Sequence, residues 1–384
     1  MTLPPRRLPV TLALGTTQTL AWASSYYLPA VMADAVSREL GITSTMFFAA
    51  FSASLLVSAA IGPKVGRTID SLGGRRVLLL SNIFISAGLV TLAFTHASAV
   101  LWFAWLLLGV GMGLGLYDAA FATLGRIYGS DARSSITAIT LIAGFASTIG
   151  WPLSQWGIAT IGWRETCLAW AAAHILIGLP INSLLPAATA TATTIDEGTS
   201  RASVAWDRPM LLIAFAMAAA WMVTAAMAAH LPRLLQVAGA TSSQAIAAGV
   251  LIGPAQVMAR ILEASVLRRL HPLFSARLAT LAHPIAAALL ACFGPIAGAP
   301  FAIVHGAGNG ILTIARGTVP LALFGPKNYG YRLGLLGAPA RILQATAPLL
   351  FGILIDTIGV WTLCVSAGFS LAALGALLLL SEEK

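Results

Sequence analysis

Apolar runs longer than about 18 residues recur along the whole of this 384-residue chain, and each is long enough to cross the ~30 Å hydrocarbon core of a bilayer. No other property restricts the possible folds as much. Reading the runs and their polar punctuation predicts helical spans near 9–33, 44–65, 77–95, 99–125, 133–158 and 164–186, then 209–230, 244–267, 277–294, 300–324, 333–355 and 359–380. Composition agrees. Charged residues make up 9% of the chain and apolar ones 58%, against roughly 25% charged in a soluble domain, so a water-soluble fold is excluded.

The net charge of +9 would suit a nucleic-acid binder, but the positions of the basic residues say otherwise. With the N-terminus placed in the cytoplasm, 16 of the 22 Lys and Arg residues fall inside, among them Arg67, Arg75, Arg76, Arg126, Arg133, Arg268 and Arg269. Arg38, Arg164 and Arg233 fall outside, and Arg260, Arg316 and Arg341 lie within apolar runs. That bias is the positive-inside rule, and it predicts that both termini are cytoplasmic. No nucleic-acid partner is expected; the partners implied are the lipid bilayer and a small molecule. Cys167, Cys292 and Cys364 sit in separate runs with no paired spacing, so neither a disulfide frame nor a metal motif is expected. Arg6 and Arg7 precede the first run as in a signal peptide, but no small-residue cleavage site follows and the run passes 20 residues. It reads as a retained first helix.

Ala187 to Arg208 is rich in Ala, Thr and Ser and reads as a cytoplasmic linker. The expected organisation is an N-terminal six-helix bundle over 1–187, a linker over 188–208 and a C-terminal six-helix bundle over 209–384, with the two halves pseudo-symmetric. Such duplicated halves rock around a site near the midplane in secondary transporters. Gly109, Gly111, Gly113 and Gly115 alternate in helix four, which points to close helix packing through small residues.

The loop after the second span reads Gly66-Arg67-Thr68-Ile69-Asp70-Ser71-Leu72-Gly73-Gly74-Arg75-Arg76. This resembles the G-x-x-x-D-x-x-G-x-R-R/K signature that the major facilitator superfamily carries between helices two and three. The resemblance implies an all-α membrane fold of twelve transmembrane helices and an alternating-access transporter, and in architecture it covers the whole chain. Physical reasoning gives the motif a task. A carboxylate at Asp70 suits the orphan amides and dipole of a helix N-terminus in the other half, and Arg75 and Arg76 can bond carboxylates or lipid phosphates. With Gly66 and Gly73 they would form a conformational latch.

A duplicated chain should carry a second copy between helices eight and nine. Setting Gly66 on Ala259 places Asp70, Arg75 and Arg76 on Glu263, Arg268 and Arg269 but leaves helix eight only about 16 residues long. Setting it near Ala264 restores a full span and loses the acidic match. The second choice is preferred on length, and it places Arg260 inside the membrane, where an arginine costs about 2.5 kcal/mol or more unless it finds a partner.

The segment Gln256-Val257-Met258-Ala259-Arg260 resembles helix eight of the monocarboxylate and oxalate–formate antiporter-like branch, with Gln256 where that branch has an acid. The resemblance implies that Arg260 binds a substrate carboxylate, while the proton must be carried elsewhere. Asp118 is the candidate, since a carboxylate in a low-dielectric cavity has its pKa raised. The alternative for Asp118 is a permanent bridge to an arginine. Helix four has Trp105 near the place of the arginine common in proton-coupled antiporters, and Gly150-Trp151-Pro152 falls short of the glycine-proline antiporter motif. Arg316 and Arg341 complete the intramembrane charges, either in the cavity or snorkelling to the interface. With Arg260 they outweigh Asp118 and the border residue Glu263 by about one positive charge, which an anionic substrate would balance.

The expected ligand contacts are Arg260, Tyr117, Gln256, Tyr27, Gln18, Asn309 and Arg341, with Tyr26 and Gln344 as polar neighbours. Asp118 and His305 are the expected proton sites. His174 and His230 are read as interfacial, and Trp22 and Trp221 as either walls of the cavity or, by default, lipid-facing. No H-E-x-x-H, G-x-S-x-G, phosphate-cradling loop or metal cluster occurs in the sequence, so neither an enzyme nor a cofactor is expected. The function expected is proton-linked transport of a small organic anion by a monomer in the inner (plasma) membrane. The rival is efflux of a toxic or amphiphilic compound, with Asp118 the dominant charge of an apolar cavity.

Overall fold

Polar caps, prolines and glycines set the helix limits in the computed structural model, which describes residues 6–186 and 204–381. Thr43 accepts from the Met46 amide at 3.2 Å, Asp207 from the Met210 amide at 3.0 Å, and Thr241 and Gln244 cap each other. The first group is α1 (Arg7–Ala21) with a π-helical turn over Trp22–Tyr26, α2 (Pro29–Leu40), α3 (Ser44–Leu72), α4 (Gly74–Ala93), α5 (Ser98–Gly115), α6 (Tyr117–Tyr128), α7 (Arg133–Ala143), α8 (Ala146–Thr160), α9 (Trp163–Ala173) and α10 (Leu179–Ser183). The second is α11 (Arg208–Val237), α12 (Ser242–Val250), α13 (Ile252–Ser265), α14 (Pro272–Phe293), α15 (Gly298–Phe324), α16 (Tyr329–Ile358) and α17 (Thr362–Leu378).

The fold is all-helical, and among the described residues eight helical stretches are long and apolar enough to cross a membrane. Three of these, Ser98–Thr160, Pro272–Phe324 and Tyr329–Leu378, reach 50 residues or more and turn at Gly129, Gly294 and Gly359, whose φ values of +58°, +61° and +57° suit glycine. The part of the expected linker from 188 to 203 lies outside the described residues.

Buried apolar side chains follow the two groups. Leu14, Phe47, Ile85, Trp105 and Cys167 belong to a cluster drawn from the first group, joined from the second by Leu321, Tyr329 and Leu333. Met222, Phe301 and Phe351 form another cluster, and Met210, Leu336 and Leu377 a third. The alternating glycines of α5 serve two neighbours at once. A Cβ on Gly109 would come 2.5 Å from the Ser54 carbonyl oxygen of α3, and one on Gly113 2.6 Å from Ile61 of α3. On the opposite side, a Cβ on Gly111 would come 2.5 Å from Ile85 of α4, and one on Gly115 would strike Ser81. Two-residue spacing turns a helix by about 200°, so the four glycines admit α3 on one face and α4 on the other.

The two groups meet chiefly where α3 packs on α16, α6 on α16 and α15, and α7 on α13 and α15. These contacts concentrate toward the end carrying Arg67, Arg76, Arg268 and Arg269, here termed the basic end. There Asp70 Oδ1 and Oδ2 accept from the Gly330 and Tyr331 amides at 2.8 Å each. Asn328, the residue before α16, provides no side-chain cap, so the start of this helix is capped by a carboxylate from the other group. Gly66 lies so close to Gly330 that a Cβ would run into the Gly330 carbonyl, and the Arg67 guanidinium lies 4.0 Å from the Tyr331 ring centroid. Gly73 ends α3 with φ +80°. Arg75 and Arg76 make no ion pair among the described residues.

A reciprocal contact closes the other side of the basic end. Glu263, 1% exposed, pairs with Arg133 at the start of α7 at 3.1 Å and accepts from the Ser275 hydroxyl at 2.7 Å. Arg133 also donates to the Leu270 carbonyl at 2.8 Å. Glu263 stands two residues before the end of α13, just as Asp70 stands two before the end of α3. The preference for moving the second motif to Ala264 is therefore corrected. α12 and α13 together run 24 residues, Ser242–Ser265, so length does not require the shift, and Glu263 is the counterpart of Asp70.

Replacing Asp70 with Asn and Glu263 with Gln together should loosen the basic end, because breaking a buried ion pair costs about 3–5 kcal/mol. A cysteine placed at the buried Thr137 in a background lacking the three native cysteines should then react at least about tenfold faster with a maleimide. An unchanged labelling rate would show that these carboxylates do not hold the end closed. Gly66→Val should lower Tm by several degrees, since overpacking here costs about 1–3 kcal/mol.

Candidate functional site

The span that begins with α5 is interrupted at the one place where it carries an acid. α5 ends at Gly115, Leu116 is extended (φ −77°, ψ −173°), and α6 restarts at Tyr117. Asp118 therefore sits in the first turn of a new helix, where the free amides and dipole favour a carboxylate. The Gln18 amide donates to the Gly115 carbonyl at 2.5 Å, satisfying an oxygen freed by the break. Gln18, expected at the ligand, thus braces the interruption.

Across the group boundary, Arg316 of α15 and Arg341 of α16 both donate to Asp118 Oδ2, at 2.6 and 2.5 Å. All three side chains are buried, and Asp118 Oδ1 has no partner among the described residues. Two guanidiniums against one carboxylate leave a net positive charge. Each arginine is also steadied from outside the triad. Trp221 lies 4.8 Å from the Arg316 guanidinium carbon, and Arg341 reaches the Ser58 carbonyl at 3.5 Å.

The triad borders a void lined further by Trp22, Tyr26, Tyr117, Trp221 and Gln344. Its volume is about 20 Å³, room for one or two waters at roughly 10–15 Å³ each. Away from the basic end, the Gln344 amide donates to the Tyr26 hydroxyl at 2.5 Å and joins the two groups over the void. Trp22 and Trp221 therefore face the interior, which corrects the lipid-facing default. The π-helical turn in the first span falls on Trp22–Tyr26.

The other expected residues lie elsewhere. Arg260 is buried between groups, donating to the Thr140 carbonyl of α7 at 3.1 Å and, more weakly, to Gly310 O, Gln256 Oε1 and Thr313 Oγ1 at 3.4–3.5 Å. It meets backbone oxygens and has no carboxylate partner among the described residues, and Gln256 is engaged with it. Tyr27 packs against Trp151 at 5.8 Å and accepts the Trp151 indole N–H through its carbonyl. Asn309 accepts from Thr224 at 3.0 Å and lines a second, smaller void inside the second group.

His305 borders that second void and is paired with His283, a residue not singled out from sequence. Their Nδ1 atoms are 3.0 Å apart, and His283 Nε2 is 2.9 Å from Ser366 Oγ. Ser366 donates to the Leu363 carbonyl, so the network assigns the Nε2–H to His283 and the bridging Nδ1–H to His305. His174 is corrected from interfacial to buried: it sits between Ser24 Oγ at 2.7 Å and Asn82 Oδ1 at 2.9 Å. His230 is half-buried and bonds the Pro348 carbonyl.

Sequence reading thus named Asp118 and Tyr117, offered Arg341 as a ligand contact, and left both Arg316 and Arg341 open between cavity and interface. It weighed Trp221 as a cavity wall without placing it on an arginine, and it missed Ser58. The available signal for the helix break was the Gly-rich interruption directly before Tyr117 and Asp118.

Among curated proteins, an uncharacterized 38 kDa protein in the 23S RNA operon of Thermoproteus tenax is 28% identical over 156 residues, and the match spans 40% of each chain. Among solved structures, the human organic anion transporter MFSD10 (TETRAN) superposes with a TM-score of 0.73 at 16% identity, covering 98% of this chain and 100% of that one. The proton:xylose symporter XylE, bound to 6-bromo-6-deoxy-D-glucose, superposes with a TM-score of 0.75 at 11% identity, covering 96% and 94%. At such identities the likeness is one of fold. The family model for the major facilitator superfamily matches residues 14–304, about three quarters of the chain, and together with the helical fold this identifies the chain as a member of the major facilitator superfamily, a family of transporters.

Proposed function

We propose that this protein is a twelve-span secondary transporter, with both termini cytoplasmic, that moves a small organic anion together with a proton. Counting the three folded-back stretches as pairs and adding the α1–α2 segment supports twelve spans. The positive-inside bias supports a cytoplasmic basic end. On this reading the structure is closed toward the cytoplasm by Asp70 and Glu263, and substrate enters from the far side when Tyr26 and Gln344 part.

The buried triad of Asp118, Arg316 and Arg341 carries the proposal. Protonation of Asp118 removes the only carboxylate between the two guanidiniums, and a substrate carboxylate then takes its place. Site charge is the same before and after, so the exchange carries no added cost of burying net charge. The same loss unties the two groups, which couples ligand entry to rocking. Arginines that outnumber Asp118 favour this reading over efflux of an amphiphile, in which Asp118 would be the dominant charge. Arg260 is assigned to the contact between α13 and α7, and His305, in its separate void, to holding the second group together.

Uptake into proteoliposomes, with and without an inward proton gradient, tests the proposal. Arg316→Ala and Arg341→Ala should each lower uptake efficiency at least about 30-fold, since truncating a buried, hydrogen-bonded charge costs about 2–5 kcal/mol. Asp118→Asn should abolish the response to the gradient while anion exchange persists. A gradient response that survives in Asp118→Asn would remove Asp118 as the proton site.

A further inference from the structure

The aromatic side chains around the void limit what can be attached to the anion. Four of the twelve side chains around the void are aromatic in a chain that is 8% aromatic, and they come from both groups. Trp22 lies 5.0 Å from Tyr26 and 4.9 Å from Tyr117, centroid to centroid, and Tyr117 is stacked on Phe121 at 5.2 Å with planes 10° apart. These rings are held by one another. Across the void, Trp221 covers Arg316. A carboxylate seated on Arg316 and Arg341 would leave the rest of its molecule between Trp221 on one side and Trp22, Tyr26 and Tyr117 on the other.

Three buried polar atoms on the lining side chains have no partner among the described residues: the Trp22 indole N–H, the Ser58 hydroxyl and Asp118 Oδ1. Buried polar groups are ordinarily satisfied, so three orphans around one void mark hydrogen-bonding capacity that the one or two waters it has room for, or a ligand displacing them, can fill. The charge is equally restrictive. Two arginines and one protonatable carboxylate accept one negative charge per proton without changing the site's total.

We infer that the anion is a monocarboxylate borne on a planar aromatic ring, seated with its carboxylate on Arg316 and Arg341 and its ring between Trp221 and the Trp22–Tyr26–Tyr117 wall. This rests on the anion reading above and narrows it. Ring-to-ring contacts discriminate against a saturated ring of the same outline, because edge and face contacts add to simple burial of area.

Full-length protein in proteoliposomes, assayed for proton-driven uptake of radiolabelled benzoate, tests this by competition with unlabelled benzoate, cyclohexanecarboxylate and propionate. Quenching of tryptophan fluorescence measures binding of the same three acids in detergent. Benzoate should compete about tenfold more tightly than cyclohexanecarboxylate, the effect of one or two ring contacts. Trp22→Leu and Trp221→Leu should bring that ratio to about 2 or less, while Trp221→Phe keeps it. Equal competition by the two ring acids in the unaltered protein, or uptake of propionate without benzoate, would overturn the aromatic inference and leave the anion reading intact. Failure of all three acids to bind or to be taken up would overturn the anion reading itself.

Discussion

A carboxylate shared by two guanidiniums, out of reach of bulk water, is the interaction on which the rest of the molecule turns. Each arginine alone in a span would cost about 2.5–3.5 kcal/mol on insertion scales, and Asp118 a similar amount. Paired, they form a deeply buried charge cluster that joins α6 to α15 and α16. The backbone adapts to it. The helix stops at Gly115 and restarts at Tyr117, so that Asp118 sees a helix start, and Gln18 takes up a carbonyl the break sets free. The carboxylate that the helix break sets at a helix start is thus the one that ties the two parts together.

Packing at the basic end follows a different logic. There the two parts approach through glycine, with Gly66 against Gly330 and Gly62 against Gly334, so backbone meets backbone with no side chain between. Contacts of this kind exist at one separation only and are lost over a small displacement. Held by carboxylates on helix starts, such a surface is either seated or apart, which is the behaviour a rocking pair of bundles needs.

Much of this was legible in the sequence because bilayer physics is local. Apolar run lengths, the bias of basic residues and the five fixed positions from Gly66 to Arg76 each speak for themselves, and the acid in helix four stood out as costly. What was not legible depends on how far each helix is rotated and how deep it sits. Arg260 and Arg316 are alike in sequence, both single arginines in apolar runs. One ends among the Thr140 and Gly310 carbonyls and the other on Asp118, because packing of α13 on α7 and of α15 on α6 fixes different partners. His174 was placed at a membrane end by its distance from a polar segment, whereas Ser24 and Asn82 on other helices provide it with a buried polar niche. The length argument that moved the second motif failed because the helix continues through the motif: α13 runs past Ala259 to Ser265, just as α3 runs past Gly66 to Leu72.

The two closures at the basic end are related by exchanging the groups. Asp70, from the end of α3, reaches the start of α16, and Glu263, from the end of α13, reaches the start of α7. Each part gives an acid and receives one, which is the reciprocity of a two-fold dimer interface. A surface of that kind is self-complementary, so a single ancestral copy carrying both an acid and an open helix start could have closed upon its twin before the two were joined in one chain. The two contacts differ in what receives the acid: backbone amides take Asp70, and the Arg133 side chain takes Glu263.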